Sequence, residues 1–220
     1  MSRPPRVEVM VLRVFCGEGG RGGNELGVVL DGRAVEPDDR QALAARLGYA
    51  ETVFVDDAAQ GRIAIHTPAV ELPFAGHPTV GTAWLLRRER GEIDALRTAG
   101  GKVAVRFDDG EAFVTARPEW CPPFRLEQLE DAAAVGAHPG VEEGHLYVWA
   151  WLDERRGLVR ARAFVPEVGV PEDEATGSAA LRLCAELGRE VEVRQGRGSL
   201  IRARPLADGF VEVGGVVVEA

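Results

Sequence analysis

Two short stretches of this chain put glycine, a hydroxyl residue and small side chains where an apolar helical run begins. One is Phe74-Ala75-Gly76-His77-Pro78-Thr79-Val80-Gly81-Thr82-Ala83, the other Glu172-Asp173-Glu174-Ala175-Thr176-Gly177-Ser178-Ala179-Ala180. The first N–H groups of a helix lack intrahelical partners and lie at the positive end of its dipole. Gly76 and Gly177 leave that backbone reachable, and Thr176 and Ser178 add hydroxyls. Two such starts facing each other would hold a carboxylate, phosphate or sulfate between them. His77 and Asp173 stand beside them and could act on whatever is held. A third candidate, Glu51, heads the run Glu51-Thr52-Val53-Phe54-Val55. On a strand it shares a face with Val53 and Val55, and a carboxyl on an apolar face is desolvated and its pKa rises. That suits a group that takes and gives a proton near neutral pH. Each residue also has a plainer reading. Glu51 can be a solvated strand end, His77 a capping or core histidine, Asp173 a helix-capping acid, and the glycines turn punctuation.

The elements that must position these residues are legible in outline. Val7 to Phe15 reads as an opening strand, Gly17 to Gly23 as a glycine-rich turn, and Gly27 to Leu30 as a second strand closed by a turn at Asp31-Gly32. Pro37-Asp38-Asp39 starts a helix that Gly48 stops. Strands are expected at Ala50 to Val55 and Arg62 to His66. A long helix follows over 77–90, then a hairpin from Val103–Phe107 to Ala112–Thr115 across Asp108-Asp109-Gly110. The second half repeats the order: a strand at Arg160–Val165, a helix over 176–188, and strands at Val191–Arg194, Leu200–Arg204 and Phe210–Val213. A strand, a glycine-led apolar helix and a glycine-rich return strand thus occur twice. Both helices carry Ala, Leu and Val on nearly every side, as a helix wrapped by sheet should. Two pseudo-equivalent domains are expected, 1–118 and 119–220, with a hinge where Pro118, Pro122 and Pro123 crowd together.

Composition narrows the function classes. The chain has 220 residues, enough for one large or two small domains with a sizeable core. No run of about 18 apolar residues occurs, which argues against a membrane-spanning helix. Met1 to Arg6 leads toward the first strand without the pattern of a signal peptide, so a cytoplasmic location is expected. The net charge of −9 argues against non-specific nucleic-acid binding. Arg87-Arg88-Glu89-Arg90 and Asp153-Glu154-Arg155-Arg156 mix both signs and read as solvated faces. Lys102 is the sole lysine and Asn24 the sole asparagine. Cys16, Cys121 and Cys184 are scattered, and neither a disulfide framework nor a metal site is indicated. His66, His138 and His145 have no partners at metal-ligand spacing. Gly17 to Gly23 lacks the Lys-Ser/Thr ending of a phosphate-binding loop.

Four motifs in order carry a resemblance: Gly23-Asn24-Glu25-Leu26-Gly27-Val28-Val29, Ala50-Glu51-Thr52-Val53-Phe54, Phe74-Ala75-Gly76-His77-Pro78-Thr79 and Glu172-Asp173-Glu174-Ala175-Thr176-Gly177-Ser178-Ala179. With Val193-Arg194-Gln195-Gly196 and Val213-Gly214-Gly215-Val216-Val217, the chain resembles the PhzF-like family of phenazine biosynthesis. The resemblance implies the diaminopimelate-epimerase-like fold, an α+β architecture. Two pseudo-symmetric domains each roll a mixed sheet around a central helix, with the active site between them. It implies that Glu51 is the general acid/base and that His77 and Asp173 bind or orient the substrate. Asn24 and Glu71 match motif positions and read as structural supports. The expected activity is a cofactor-independent isomerisation of a small carboxylate-bearing metabolite. In the phenazine pathway the family member isomerises a dihydro-hydroxyanthranilate. A homodimer is expected from the family, with no nucleic-acid or membrane partner. Two rivals remain. An amino-acid epimerase or racemase would need a thiolate at each helix start, where this chain has Ala75 and Thr176. A binding or regulatory protein would keep the fold without turnover. The chain departs from the family pattern in three ways: Glu25 and Glu174 replace prolines, and strands and a helix are expected to be missing between Pro123 and Leu146.

Overall fold

The computed structural model describes residues 7–220; the segment Met1 to Arg6 lies outside the described residues. The strands are β1 (Met10–Cys16), β2 (Gly22–Val29), β3 (Glu51–Asp57), β4 (Arg62–His66), β5 (Glu71–Leu72), β6 (Ala95–Thr98), β7 (Gly101–Asp108), β8 (Glu111–Ala116), β9 (Arg125–Gln128), β10 (Leu146–Asp153), β11 (Leu158–Val165), β12 (Val170–Asp173), β13 (Val191–Gln195), β14 (Ser199–Pro205) and β15 (Val211–Glu219). The helices are α1 (Pro37–Leu47), α2 (Gly76–Arg90), α3 (Ala132–Ala137) and α4 (Gly177–Leu187). All fifteen strands belong to one mixed sheet, ordered β1-β2-β3-β4-β6-β7-β8-β15-β14-β13-β11-β10-β9, with β5 on β4 and β12 on β11.

The two halves repeat one pairing scheme. Parallel β2–β3 answers to parallel β9–β10, and parallel β4–β6 to parallel β11–β13. Antiparallel β3–β4, β4–β5, β6–β7 and β7–β8 answer to β10–β11, β11–β12, β13–β14 and β14–β15. Strand β1 has no counterpart. It pairs with β2, while its Leu12, Arg13 and Val14 lie opposite Glu219, Val218 and Val217 of β15. The first ring is thereby closed around α2, and the second half ends at β9 with no strand beyond it among the described residues. The shortening between Pro123 and Leu146 is therefore narrower than expected. A strand (β9) and a short helix (α3) do occupy that stretch, and the element without an equivalent is the counterpart of β1.

Helix α2 is buried from Gly76 through Ala83 and again at Leu85 and Leu86, because sheet covers it on several sides. Helix α4 is buried at Gly177, Ala179, Ala180, Leu181, Leu183 and Cys184. Both belong to one core that runs through the two halves, with Leu12, Phe15, Val53, Val114, Tyr147, Val193 and Val213 around them. Each half adds a small outer cluster. One, under α1, joins Val29, Val35, Leu43 and Phe54; the other, under α3, joins Val135, Leu146, Val148, Ala150 and Phe164. Three local readings need correction. The first strand starts at Met10, not Val7; the second starts at Gly22, inside the expected glycine-rich turn, and not at Gly27; and the Asp31-Gly32 turn opens a single 3-10 turn, Gly32–Ala34.

Candidate active site

Glu51 is the first residue of β3 and is held there by parallel pairing with Leu26 of β2. His77 is the second residue of α2. Their side chains meet within the first half, with His77 Nε2 3.3 Å from Glu51 Oε2 and side-chain exposures of 5% and 16%. Neither atom has a hydrogen-bond partner, so the approach is close without being aligned as a hydrogen bond. The imidazole bonds the backbone of Glu25. A carbonyl only accepts, so Nδ1 carries the proton and Nε2 offers a bare lone pair toward Glu51.

Asp173 ends β12, four residues before α4 begins at Gly177. It accepts from Asn24 Nδ2 at 2.6 Å and from Thr176 Oγ1 at 2.6 Å. Asn24 also donates to the Ala175 carbonyl at 3.2 Å. The side chain of Gln195, at the end of β13, is fully engaged. Its Nε2 donates to the Asp173 carbonyl (2.8 Å) and to Thr176 Oγ1 (2.9 Å). Its Oε1 accepts from Tyr147 (3.2 Å) and from the Thr176 N–H (3.3 Å). Asn24 is thus more than a turn support, because it ties the first half to the acid of the second. Its sequence signals were its place in the Gly23-Asn24-Glu25 motif and its being the chain's one asparagine. Gln195 and Tyr147 gave none beyond the Gln195-Gly196 motif. Glu71 is exposed on β5, away from these contacts.

Burial governs the protonation states. Desolvation, then the charge of Asp173, lifts Glu51 to about 8. Desolvation lifts Asp173 to about 6 against the lowering effect of its Thr176 and Asn24 hydrogen bonds. Burial lowers His77 to about 3, opposed by its bond to Glu25. An imidazole ordinarily titrates near neutral pH, but burial keeps His77 a neutral imidazole there.

The two helix starts abut. A Cβ built on Gly76 would lie 3.2 Å from Gly177 Cα and 3.3 Å from the Ser178 nitrogen, and one on Gly177 would lie 2.9 Å from the Phe15 ring. Phe15 itself sits at φ 67°, a strained conformation for a bulky residue, directly beneath this contact. Thr176 stands at the N-cap position of α4 and is buried, its hydroxyl turned to Asp173, while Ser178 is half-buried. The starts face each other as the sequence suggested, with one difference. Gly76 and Gly177 leave no gap between them as they stand.

Glu174, where the family pattern has proline, serves as a clasp. Its Oε1 accepts from the Arg197 N–H (2.8 Å) and from Ser199 Oγ (2.9 Å), and Ser199 Oγ accepts the Gly23 N–H (2.8 Å). The turn entering β2 and the turn entering β14 are so close that a Cβ on Gly22 would come 2.6 Å from the Ser199 nitrogen. No cysteine joins the site. Cys16 is fully buried, donating to the Arg13 carbonyl at 3.4 Å, and burial pushes Cys121 and Cys184 up to about 12.

Two sheet-wrapped helices whose starts meet beside a carboxyl pair define the epimerase-like fold class. A family model described as phenazine biosynthesis-like protein matches residues 13–119. An uncharacterized isomerase of Pasteurella multocida is 38% identical, over 74% of this chain and 71% of that relative. The trans-2,3-dihydro-3-hydroxyanthranilate isomerase of Pseudomonas aeruginosa is 29% identical, over 80% and 78%. The solved structure of a predicted epimerase from Pseudomonas aeruginosa aligns with TM-score 0.77 and 26% identity, covering 97% of each chain. The chain spans 59% of the length of a further relative, an uncharacterized isomerase of Mesorhizobium japonicum 34% identical over 79% of this chain. The chain belongs to the phenazine biosynthesis-like family, PhzC–PhzF.

Proposed function

We propose that this chain is a cofactor-independent isomerase that moves a proton between two carbons of a small carboxylate-bearing metabolite. One observation carries the reading. A buried carboxyl raised to about 8 faces a neutral imidazole at 3.3 Å, and neither facing atom has a hydrogen-bond partner. Orphaned polar atoms at a buried site are costly unless a ligand engages them. In this reading ionised Glu51 removes a proton from one carbon and returns it at another, ending in its starting form. His77 Nε2 accepts a hydrogen bond from the substrate or from protonated Glu51. Asp173, fixed by Asn24 and Thr176, takes a substrate hydroxyl or amino group. The first N–H groups of α2 and α4, at Gly76, Gly177 and Ser178, hold the substrate carboxylate. Residues 1–118 and 119–220 act as two halves hinged near Pro118–Pro123, and their closure excludes water.

The relative that acts on trans-2,3-dihydro-3-hydroxyanthranilate makes that compound the first substrate to try. The test incubates the protein in heavy water with a panel of small carboxylates that includes it. Products are read by mass spectrometry. The expected result is deuterium uptake or a shifted double bond with one member of the panel. Glu51→Gln lowers that rate by about 10²–10⁴-fold while leaving the fold intact. An unchanged rate in the variant removes Glu51 from the role. The thiol epimerase reading has no cysteine at either helix start, and alkylation by iodoacetamide is expected to leave turnover unchanged.

A further inference from the structure

The chain carries 35 acidic and 26 basic side chains, and most arginines that pair at all pair with a carboxylate. Arg40 holds Asp56, Arg106 and Arg204 share Glu212, and Arg162 holds Glu172. One cavity combines four arginines with a single lining carboxylate. This cavity, of about 820 Å³, opens between the turn that follows β1 and the turn that joins β13 to β14, and it is lined by Arg21, Arg160, Arg194 and Arg197 against the single carboxylate of Glu18. Among the described residues no carboxylate lies within 4.0 Å of Arg21, Arg160 or Arg194, and Arg197 reaches only Glu174, at 4.0 Å. These arginines come from three separate stretches of sequence, with Arg194 and Arg197 on one turn, so no local charge run announces them. Arg160 is half-buried and is held by a bond from its Nη1 to the Arg194 carbonyl at 3.0 Å. Its guanidinium is thus fixed in the groove instead of free in solvent.

The four guanidiniums outnumber the carboxylates near them, Glu18 in the lining and Glu172 and Glu174 beside Arg160 and Arg197, and a bound anion would relieve their mutual repulsion. Guanidinium forks match phosphate oxygens in geometry and charge. The volume suits a small molecule. A longer polyanion would also have to lie across the surrounding surface of a chain with net charge −9, which opposes it. We propose that this groove binds a small phosphate-bearing anion, at a site separate from Glu51 and His77. The separation is not complete. Gln195 stands in the groove wall and bonds Asp173 and Thr176 directly. Arg197 also lines a smaller cavity of about 370 Å³ that runs past Asn24 and Ala50. A ligand in the groove therefore sits one residue from the acid of the candidate active site.

The test is calorimetric titration of the full chain with inorganic pyrophosphate at low salt. The expected result is saturable binding, one per chain, that weakens as salt rises. Arg194→Ala and Arg160→Ala are each expected to weaken it by about 10-fold or more, the loss of a charge-assisted contact. Arg125→Ala, on a distant exposed arginine of β9, leaves it unchanged. Arg194 is exposed, so its truncation spares the fold and decides the matter even if Arg160→Ala is unstable. Absence of saturation up to about 10 mM, a range that already spans weak specific binding, overturns the proposal. So does equal affinity in wild type and Arg194→Ala. Tighter binding of a single-stranded RNA oligonucleotide than of pyrophosphate, at several sites per chain, overturns it too and assigns the arginines to a nucleic-acid surface.

Discussion

At the scale of residues, the site separates its titrating groups by environment. Glu51 and Asp173 form an interacting pair that gives up its protons in two steps, near 6 and near 8. The lower step leaves Asp173 charged, and that charge helps hold the Glu51 proton. At pH 7 about one-tenth of Glu51 is ionised, a working fraction of a base whose pKa lies close to the operating pH. The proton-removal reading therefore predicts that kcat/KM climbs with pH and levels off above about 8. The rise is expected to vanish in Glu51→Gln together with the activity. A profile flat from pH 6 to 9 rejects the assignment. Asn24 gives a second handle. Its hydrogen bond stabilises the ionised form of Asp173, so Asn24→Ala is expected to move the lower step upward from about 6. Titration of the Asp173 side-chain carbon by NMR reads this directly, and a downward move counts against the role given to Asn24. A purely structural asparagine would change stability without moving that titration.

At the scale of elements, the contact of two helix starts does the positioning. Neither Gly76 nor Gly177 has a positive φ, so space and not backbone freedom requires glycine there. Gly76→Ala drives a methyl against backbone atoms of Gly177 and Ser178 that cannot rotate aside. The expected loss is about 1–3 kcal/mol of stability, with reduced turnover. Gly136→Ala, in α3 with open space around it, is the control and is expected to be neutral or slightly stabilising. Equal melting temperatures for the two variants would show that the helix starts have slack. The elements legible in the sequence were those with strong local signals. Pro37 and Gly48 bracket α1, and the left-handed Gly48 at φ 74° shows why only a residue like glycine ends it. Asp109 and Gly110, at φ 44° and 81°, make the hairpin turn that their types announced. Strands β5, β6, β9 and β12 were not foreseen, because they are short and half-exposed and owe their extended form to a neighbouring strand. The same distinction holds in the site. Glu51, His77 and Asp173 were found through motifs, whereas the Gln195–Tyr147 bond joins residues 48 apart that no local pattern connects.

At the scale of the whole molecule, a site built from desolvated acids weighs on the fold in a pH-dependent way. Glu51 binds its proton more tightly folded, at about 8, than unfolded, near the ordinary glutamate value of 4.5. Between those values the folded chain holds a proton that the unfolded chain has released. The sign of the linkage follows: stability is greatest below about 4.5 as far as this group is concerned, and it declines as pH rises through about 8. His77 acts oppositely in an acid window. It is lowered to about 3 from 6.5, so its contribution is full above 6.5 and is lost as pH falls through about 3. Between pH 6.5 and 8 Glu51 dominates, and Asp173, raised to about 6, adds to the same trend at the lower end. Glu51→Gln keeps the shape and removes the charge that must be buried. The variant is therefore expected to be more stable than wild type at pH 9, by an order of 1–4 kcal/mol given about 1.4 kcal/mol per pKa unit. At pH 5 the difference shrinks toward zero, since wild-type Glu51 is then neutral when folded. Urea melts of the two proteins at both pH values measure it. A difference that does not grow with pH would mean that Glu51 is better solvated than its 16% exposure indicates. Gain of stability with loss of turnover in one variant is the signature of a residue kept for chemistry against the interest of the fold.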